Sequence, residues 1–262
     1  MSCGMDYAQA RIQARFGRRP GAALWRELEG IRDLPSYLET ARNSPLRDWV
    51  SGIEASGGLP QIETRLRERL RSHIREVAGW VPPPWKPAVL WLSQLLDLPA
   101  LAHLLSGHAP LPWMLREQGL QGLIADGPRA ALAAPRVRHP SRGGAKRRGR
   151  LGAATPDPGQ ARSSWLAEWE RRWPEHDAEA FAGMRGLVAT MSVHLEHFKR
   201  ASARESWQMR AALERELHTL FRRFTLSPQA AFAYLGLIAL DLERLRAGLV
   251  RRALWEREGV AA

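Results

Sequence analysis

Between Pro60 and Trp80 the apolar residues Ile62, Leu66, Leu70, Ile74 and Val77 recur at intervals of four, four, four and three. That spacing puts all five on one face of an α-helix. Glu63, Arg67, Glu68 and Arg71 fall on its polar faces, at separations that let opposite charges meet. The same reading predicts helices over about 6–19, 22–31, 35–42 and from Leu46 to Ile53, with Ser44 and Pro45 as N-cap and first-turn residue of the last. On the first of them Tyr7, Ala10, Ala14 and Phe16 stand among polar residues. Pro82, Pro83, Pro84 and Pro87 force a break before a helix over about 88–96. Pro99 opens another over about 100–105, and a short segment follows to about Leu132.

Residues 135–163 carry almost no large apolar side chain; Gly, Pro, Ser and Arg dominate. This composition predicts a flexible linker. It divides the chain into an N-terminal helical unit, 1–134, and a C-terminal helical unit, 164–262. In the second, Ser164 is placed to cap a helix carrying Trp165, Trp169 and Trp173 every four residues, interrupted by Pro174. Helices over about 177–198 and 203–224 follow, and Ser227 with Pro228 opens the last. No run alternates as a half-buried strand does, so the fold class read from the pattern is all-α.

The last helix changes character midway. Its first half, Ala230–Leu240, is apolar but too short to span a bilayer, which predicts burial among other helices. Phe232, Leu235, Ala239, Leu242 and Leu249 lie on or near one face, and Gly236 leaves room for close approach. Its second half sets Asp241, Glu243, Arg244 and Arg246 between leucines. Asp241 with Arg244 and Glu243 with Arg246 are spaced to pair along the helix.

Composition adds charge to this picture. The chain of 262 residues is 45% hydrophobic, enough for a sizeable core, yet carries a formal net charge of +12. Seven cations, Arg136, Arg138, Arg142, Lys146, Arg147, Arg148 and Arg150, lie in the linker without an acidic residue among them. They form a candidate contact for a polyanion, nucleic acid included, by counterion release. The linker has no aromatic side chain for base stacking, which weighs against nucleic acid as the main partner. The lone cysteine, Cys3, excludes an internal disulfide and suits a reducing cytoplasm. The N-terminal residues lack the apolar core of a leader peptide.

Candidate chemistry is sparse. The stretch Gly143–Gly149 lacks the spacing of a phosphate loop and follows no strand. His194 and His197 are three apart, not the four a zinc hydrolase motif needs, and no Glu-x-x-His copy completes a di-iron site. Pro174–Asp177 reads as a helix break with capping residues, and no serine nucleophile motif is present. The expectation is a noncatalytic protein with no cofactor or metal, its tryptophans serving helix packing.

Both ends of the chain resemble a known family. The stretch Asp6–Arg15, with Tyr7 and Arg11, is similar to the opening of the C/d family of V/A-type rotary ATPase subunits, which has archaeal, bacterial and eukaryotic members. The stretch Leu34–Val50 resembles the short helices that follow there, with Asn43-Ser44-Pro45 at the turn. Asp97, Leu101, Leu104 and Leu105 resemble its aspartate-led segment, and Pro228, Tyr234, Glu243, Leu245 and Arg246 resemble its C-terminal signature. The family is longer and built of three related helical units; this chain would be a shortened relative. The resemblance implies a noncatalytic V-type ATPase component that couples the central shaft to the membrane rotor ring in ATP-driven ion transport. Its partners would be the proteins of the shaft and the ring. It would be cytoplasmic and peripheral to the inner face of the membrane through its complex.

Overall fold

The computed structural model describes residues 4–111, 113–116, 120–121, 124, 158–174 and 178–260, and among them every regular element is helical. The fold is all-α. Its α-helices are α1 (Met5–Phe16), α2 (Ala22–Gly30), α3 (Leu34–Arg42), α4 (Arg47–Val50), α5 (Gly58–Trp80), α6 (Lys86–Trp91), α7 (Leu98–Leu105), α8 (Pro158–Glu170), α9 (Ala178–Arg200), α10 (Ala203–Arg223) and α11 (Pro228–Val260). Short 3₁₀ turns cover Pro83–Trp85 and Leu92–Asp97, where the proline-rich break forces the chain to turn.

Two compact units emerge, and they do not follow the division read from the sequence. One joins residues 1–90 to residues 173–262; the other comprises residues 91–172. The apolar stripes explain the grouping. On α5, Ile62, Leu66, Leu70, Ile74 and Val77 are all buried, and this face packs on α11 and α1. The core of the first unit therefore needs helices from both ends of the sequence. The basic run between Pro135 and Arg150 lies outside the described residues.

Caps fix the helix starts. The Asp33 side chain accepts from the Ser36 backbone N–H at 2.8 Å, with Pro35 in the first turn of α3. Ser202 and Glu205 form a reciprocal capping box at the start of α10. Ser164, expected to cap, lies inside α8, which starts at Pro158 and so takes in residues assigned to the linker. A proline at the first helical position followed by Gln160, Ala161 and Arg162 favours that earlier start.

In the smaller unit, Ala100, Leu104, Met114 and Leu120 form a buried cluster with Trp113 and Ile124 against it. The Trp91 indole N–H donates to the Trp165 carbonyl at 3.2 Å, and the Arg172 guanidinium lies 4.0 Å from the Trp91 ring centroid. Trp165 and Trp169 stack at 5.4 Å. Trp173, expected on the same helix face, lies past the end of α8 and packs edge-on against Phe181 of α9 in the larger unit. Among the described residues no helix is long and apolar enough to cross a membrane.

Candidate functional site

Helix α11 organises the larger unit. Along its first half Ala230, Ala231, Phe232, Ala233, Leu237 and Ile238 are buried. A Cβ on Gly236 would sit 3.1 Å from Leu217 of α10, so the glycine allows these two helices to approach closely. Further on, Asp241, Glu243, Arg244 and Arg246 each reach a different element. Arg19, in the turn after α1, grips Asp241 bidentately, donating from Nε to Oδ2 at 2.7 Å and from Nη2 to Oδ1 at 3.0 Å. Arg210 of α10 pairs with Glu243 at 3.2 Å. Arg244 pairs with Glu29 of α2 and lies 4.8 Å from the Trp25 ring. Arg246 donates from Nε to both Glu63 oxygens of α5, at 2.7 and 2.9 Å.

The pairing along the helix expected from the sequence is thus replaced by pairing between helices. Spacing of three along one helix permits a contact. Four neighbouring elements, however, each offer a counter-charge directly opposite one of these side chains, and the resulting pairs join parts of the chain that are remote in sequence.

The Arg19–Asp241 pair is nearly dry, its side chains 8% and 12% exposed. Burial opposes the Arg19 charge, yet Asp241 and Glu214 outweigh it and hold the guanidinium above its ordinary pKa. Burial also pushes the Asp241 carboxyl up, with Arg19 working against that shift. The two shifts pull opposite ways on one contact. The bidentate geometry decides for the charged pair, and the Asp241 shift marks desolvation left uncompensated. Arg19 also meets Glu214 at 3.1 Å and His218 Nε2 at 2.9 Å on α10.

A second network lies beside it. His73 of α5 sits with Nε2 at 3.0 Å from the Tyr234 hydroxyl and Nδ1 at 3.4 Å from Glu76, which pairs with Arg15 at 2.6 Å. Because the carboxylate only accepts, Nδ1 carries the proton and the Tyr234 hydroxyl donates to Nε2. Burial lowers the His73 pKa, Glu76 opposing and Arg15 reinforcing it. Burial likewise pushes the Tyr234 hydroxyl up.

These networks line an open cleft of about 620 Å³ within the larger unit. Tyr234, Ile238 and Leu242 contribute to its lining, as do Pro45 and Trp49. Arg18, Arg47 and Arg69 also line it and are exposed. No ion pair or side-chain hydrogen bond engages those three arginines among the described residues.

The residues singled out from the sequence fall in several places. Tyr234, Glu243 and Arg246 belong to the α11 contacts just described. Tyr7 points outward, 60% exposed, because α1 buries Met5, Ala8, Gln9 and Ile12 instead. Arg11 lies 6.0 Å from the Tyr7 ring and 5.5 Å from that of Trp80. Asp97 is buried in the smaller unit, just before α7. His194 and His197 lie near the end of α9, and among the described residues no three His, Cys, Asp or Glu side chains are grouped to hold a metal ion. Arg136, Arg138, Arg142, Lys146, Arg147, Arg148 and Arg150 lie outside the described residues.

No family model, curated protein or solved structure matches the chain.

Arg252 was not singled out, although its position carries a signal. Leu242, Leu245, Leu249 and Arg252 recur at three, four and three, so the arginine continues a buried stripe. It is 1% exposed and donates to the Leu28 carbonyl at 2.7 Å and, through Nε, to Ile31 at 3.0 Å. The guanidinium thereby satisfies carbonyls at the C-terminus of α2, where the helix dipole favours a cation. It also stacks 4.1 Å from the Tyr37 ring. Arg15 and Arg19 gave no comparable signal, and the three-residue spacing of His73 and Glu76 does not reveal their other partners, Tyr234 and Arg15, which are remote in sequence.

Proposed function

We propose that this chain is a noncatalytic component of a V/A-type rotary ATPase, resembling the C/d family, that couples the central shaft to the membrane rotor ring. The reading rests on the resemblance of both chain ends to that family. The observation that supports it most is the role of α11. The helix carrying the family-like Tyr234, Glu243 and Arg246 is also the one to which α5 and α10 are pinned by these three side chains. A part that passes torque between two others has to resist shear. Ion pairs between several helices and one central helix supply such resistance, because each pair must lengthen before the helices slide. In this reading the protein contacts the membrane only through the ring, on the cytoplasmic side.

The test is affinity purification of the full chain from detergent-solubilised membranes of its native host, under conditions that keep rotary ATPases assembled. Recovery of shaft and ring proteins in stoichiometric amounts is the expected result. Recovery of the protein without any ATPase component overturns the reading.

A further inference from the structure

The cleft in the larger unit is unevenly charged. Of its five arginines, Arg15 is paired with Glu76 and Arg19 with Asp241, which neutralises the interior. Arg18, Arg47 and Arg69 remain, and the only other lining acid is Asp48. All four of these side chains are exposed. The rim therefore offers a surplus of unengaged guanidinium groups over a neutral, hydrogen-bonded floor. Apolar surface lies among them, chiefly exposed Pro45 and half-buried Trp49; Ile238 and Leu242 of α11 also line the cleft but are themselves buried.

We propose that this cleft is a docking site for an acidic, amphipathic segment of a partner polypeptide. Charge complementarity selects the occupant. A guanidinium presents a planar fork that matches a carboxylate with two hydrogen bonds, and three such forks around one trough call for several carboxylates on one ligand. The apolar wall calls for aliphatic or aromatic side chains between those carboxylates. The volume of about 620 Å³ is ligand-sized, yet the cleft is open, whereas small-molecule sites enclose most of their ligand in apolar surroundings. The chain's own uncommitted stretch is no candidate: residues 135–150 carry seven cations and no acid, so the rim repels them. The inference goes beyond the rotary-ATPase reading and stands whether or not that complex is the right one.

The paired floor makes the site stiff where the ligand lands. Trp49 lies edge-on to His73 at 5.4 Å, and His73 is held by Tyr234 and Glu76. A preformed floor lowers the ordering cost of binding, leaving that cost mainly to the three rim arginines.

Fluorescence anisotropy of the full-length protein with a fluorescein-labelled peptide rich in glutamate and leucine tests the proposal. The glutamine counterpart of the peptide and a single-stranded oligonucleotide serve as competitors. The variant R18E/R47E/R69E is compared with R26E/R215E/R222E, which changes the net charge equally at exposed positions outside the cleft. The expected result is at least about tenfold weaker binding for the first variant and little change for the second. Equal losses in both, no binding by the unaltered protein, or displacement of the peptide by the glutamine counterpart overturns the proposal. A photoreactive benzophenone on the same peptide gives a readout that needs no variant. Cross-links mapped to Pro45–Trp49 of the unaltered protein support the site. Cross-links confined to other segments, or suppression of the Pro45–Trp49 cross-links by less oligonucleotide than unlabelled peptide, overturn it.

Discussion

From Pro228 to Ile238, α11 is buried on nearly every side and its contacts are mainly matters of shape, the Gln229–Ala180 and Tyr234–His73 hydrogen bonds apart; from Asp241 to Arg252 it holds its neighbours with charge as well as with buried Leu242, Leu245 and Leu249. In the first half Phe232 meets Trp85 edge-on at 6.0 Å and Gly236 admits Leu217. In the second, Asp241, Glu243, Arg244, Arg246 and Arg252 each reach another part of the chain. The hydrophobic driving force stabilises in proportion to buried area and is itself non-directional. Charged pairs contribute less per contact where they are wet, but they fix which residue faces which. One helix uses both, so that its position is set by volume at one end and its rotation by partners at the other.

The comparison breaks most visibly at Arg19. Arg19→Ala leaves Asp241 buried without its partner, and a loss of about 3–5 kcal/mol in urea denaturation is expected. The double replacement R19M/D241L should recover much of that loss, since no uncompensated charge is left behind. If R19A costs no more than a surface change, the second half of α11 is not held by its charges.

Gly248 tests whether shape also matters in the charged half. A Cβ there would collide with the Tyr37 hydroxyl. Gly248→Ala should therefore cost about 1–3 kcal/mol by overpacking, despite the better helix propensity of alanine. Tyr37→Phe in the same chain should relieve only part of it, because the ring Cζ would still lie 2.8 Å from the new Cβ. A stabilising G248A would show that α3 yields easily, and the fit at that point would count for little.

Acidification is the next lever. The folded His73 has a pKa below the ordinary histidine value of 6.5 because burial disfavours its charged form. The unfolded chain then binds this proton first as pH falls. The stability it contributes is present above pH 6.5 and is lost as pH falls through the folded value. His218 and His194 are lowered too, again chiefly by burial, and add to the same trend. Melting temperature should fall below that pH, and His73→Gln should flatten the slope without abolishing it. An unchanged slope would remove His73 from the account.

The smallest effect belongs to Arg246→Ala. Its pair with Glu63 is well exposed, 53% and 35%, so a loss below about 1 kcal/mol is expected, and added salt should reduce it further. A larger loss in thermal melts would mean that the outer pairs set more than rotation.

Much of this was legible in the sequence. The stripe from Ile62 to Val77, the break at Pro82–Pro84 and the apolar first half of α11 follow from periodicities of three and four residues, and such local patterns decide helices. Caps and prolines gave most boundaries, although Pro158 started α8 six residues ahead of the serine expected to cap it. What stayed hidden is non-local. Periodicity says that Asp241 and Arg244 share a face of α11. It cannot say that Arg19 and Glu29 stand opposite them, because those residues lie more than two hundred positions away. The grouping of helices into units was hidden for the same reason. A run rich in Gly, Pro and Arg marks where local structure weakens, not which flanking helices share a core. Of the candidate site, Tyr234, Glu243 and Arg246 were singled out through a resemblance. Arg252 could have been found from its place on a buried stripe, while Arg19 and His73 could not.

That larger unit, drawn from residues 1–90 and 173–262, has a consequence for how the protein is made. On the ribosome α1 to α5 emerge with their apolar faces ready well before α11, the helix that covers them. Until α11 leaves the exit tunnel, the stripe from Ile62 to Val77 has α1 but not α11 to cover it. The nascent chain must remain competent to fold for the time taken to synthesise everything between, and contacts spanning 222 positions, such as Arg19 with Asp241, form only after α11 has emerged. The early helices are natural clients for a chaperone that shields apolar surface, and loss of such help would show first as aggregation during synthesis rather than as instability of the finished protein.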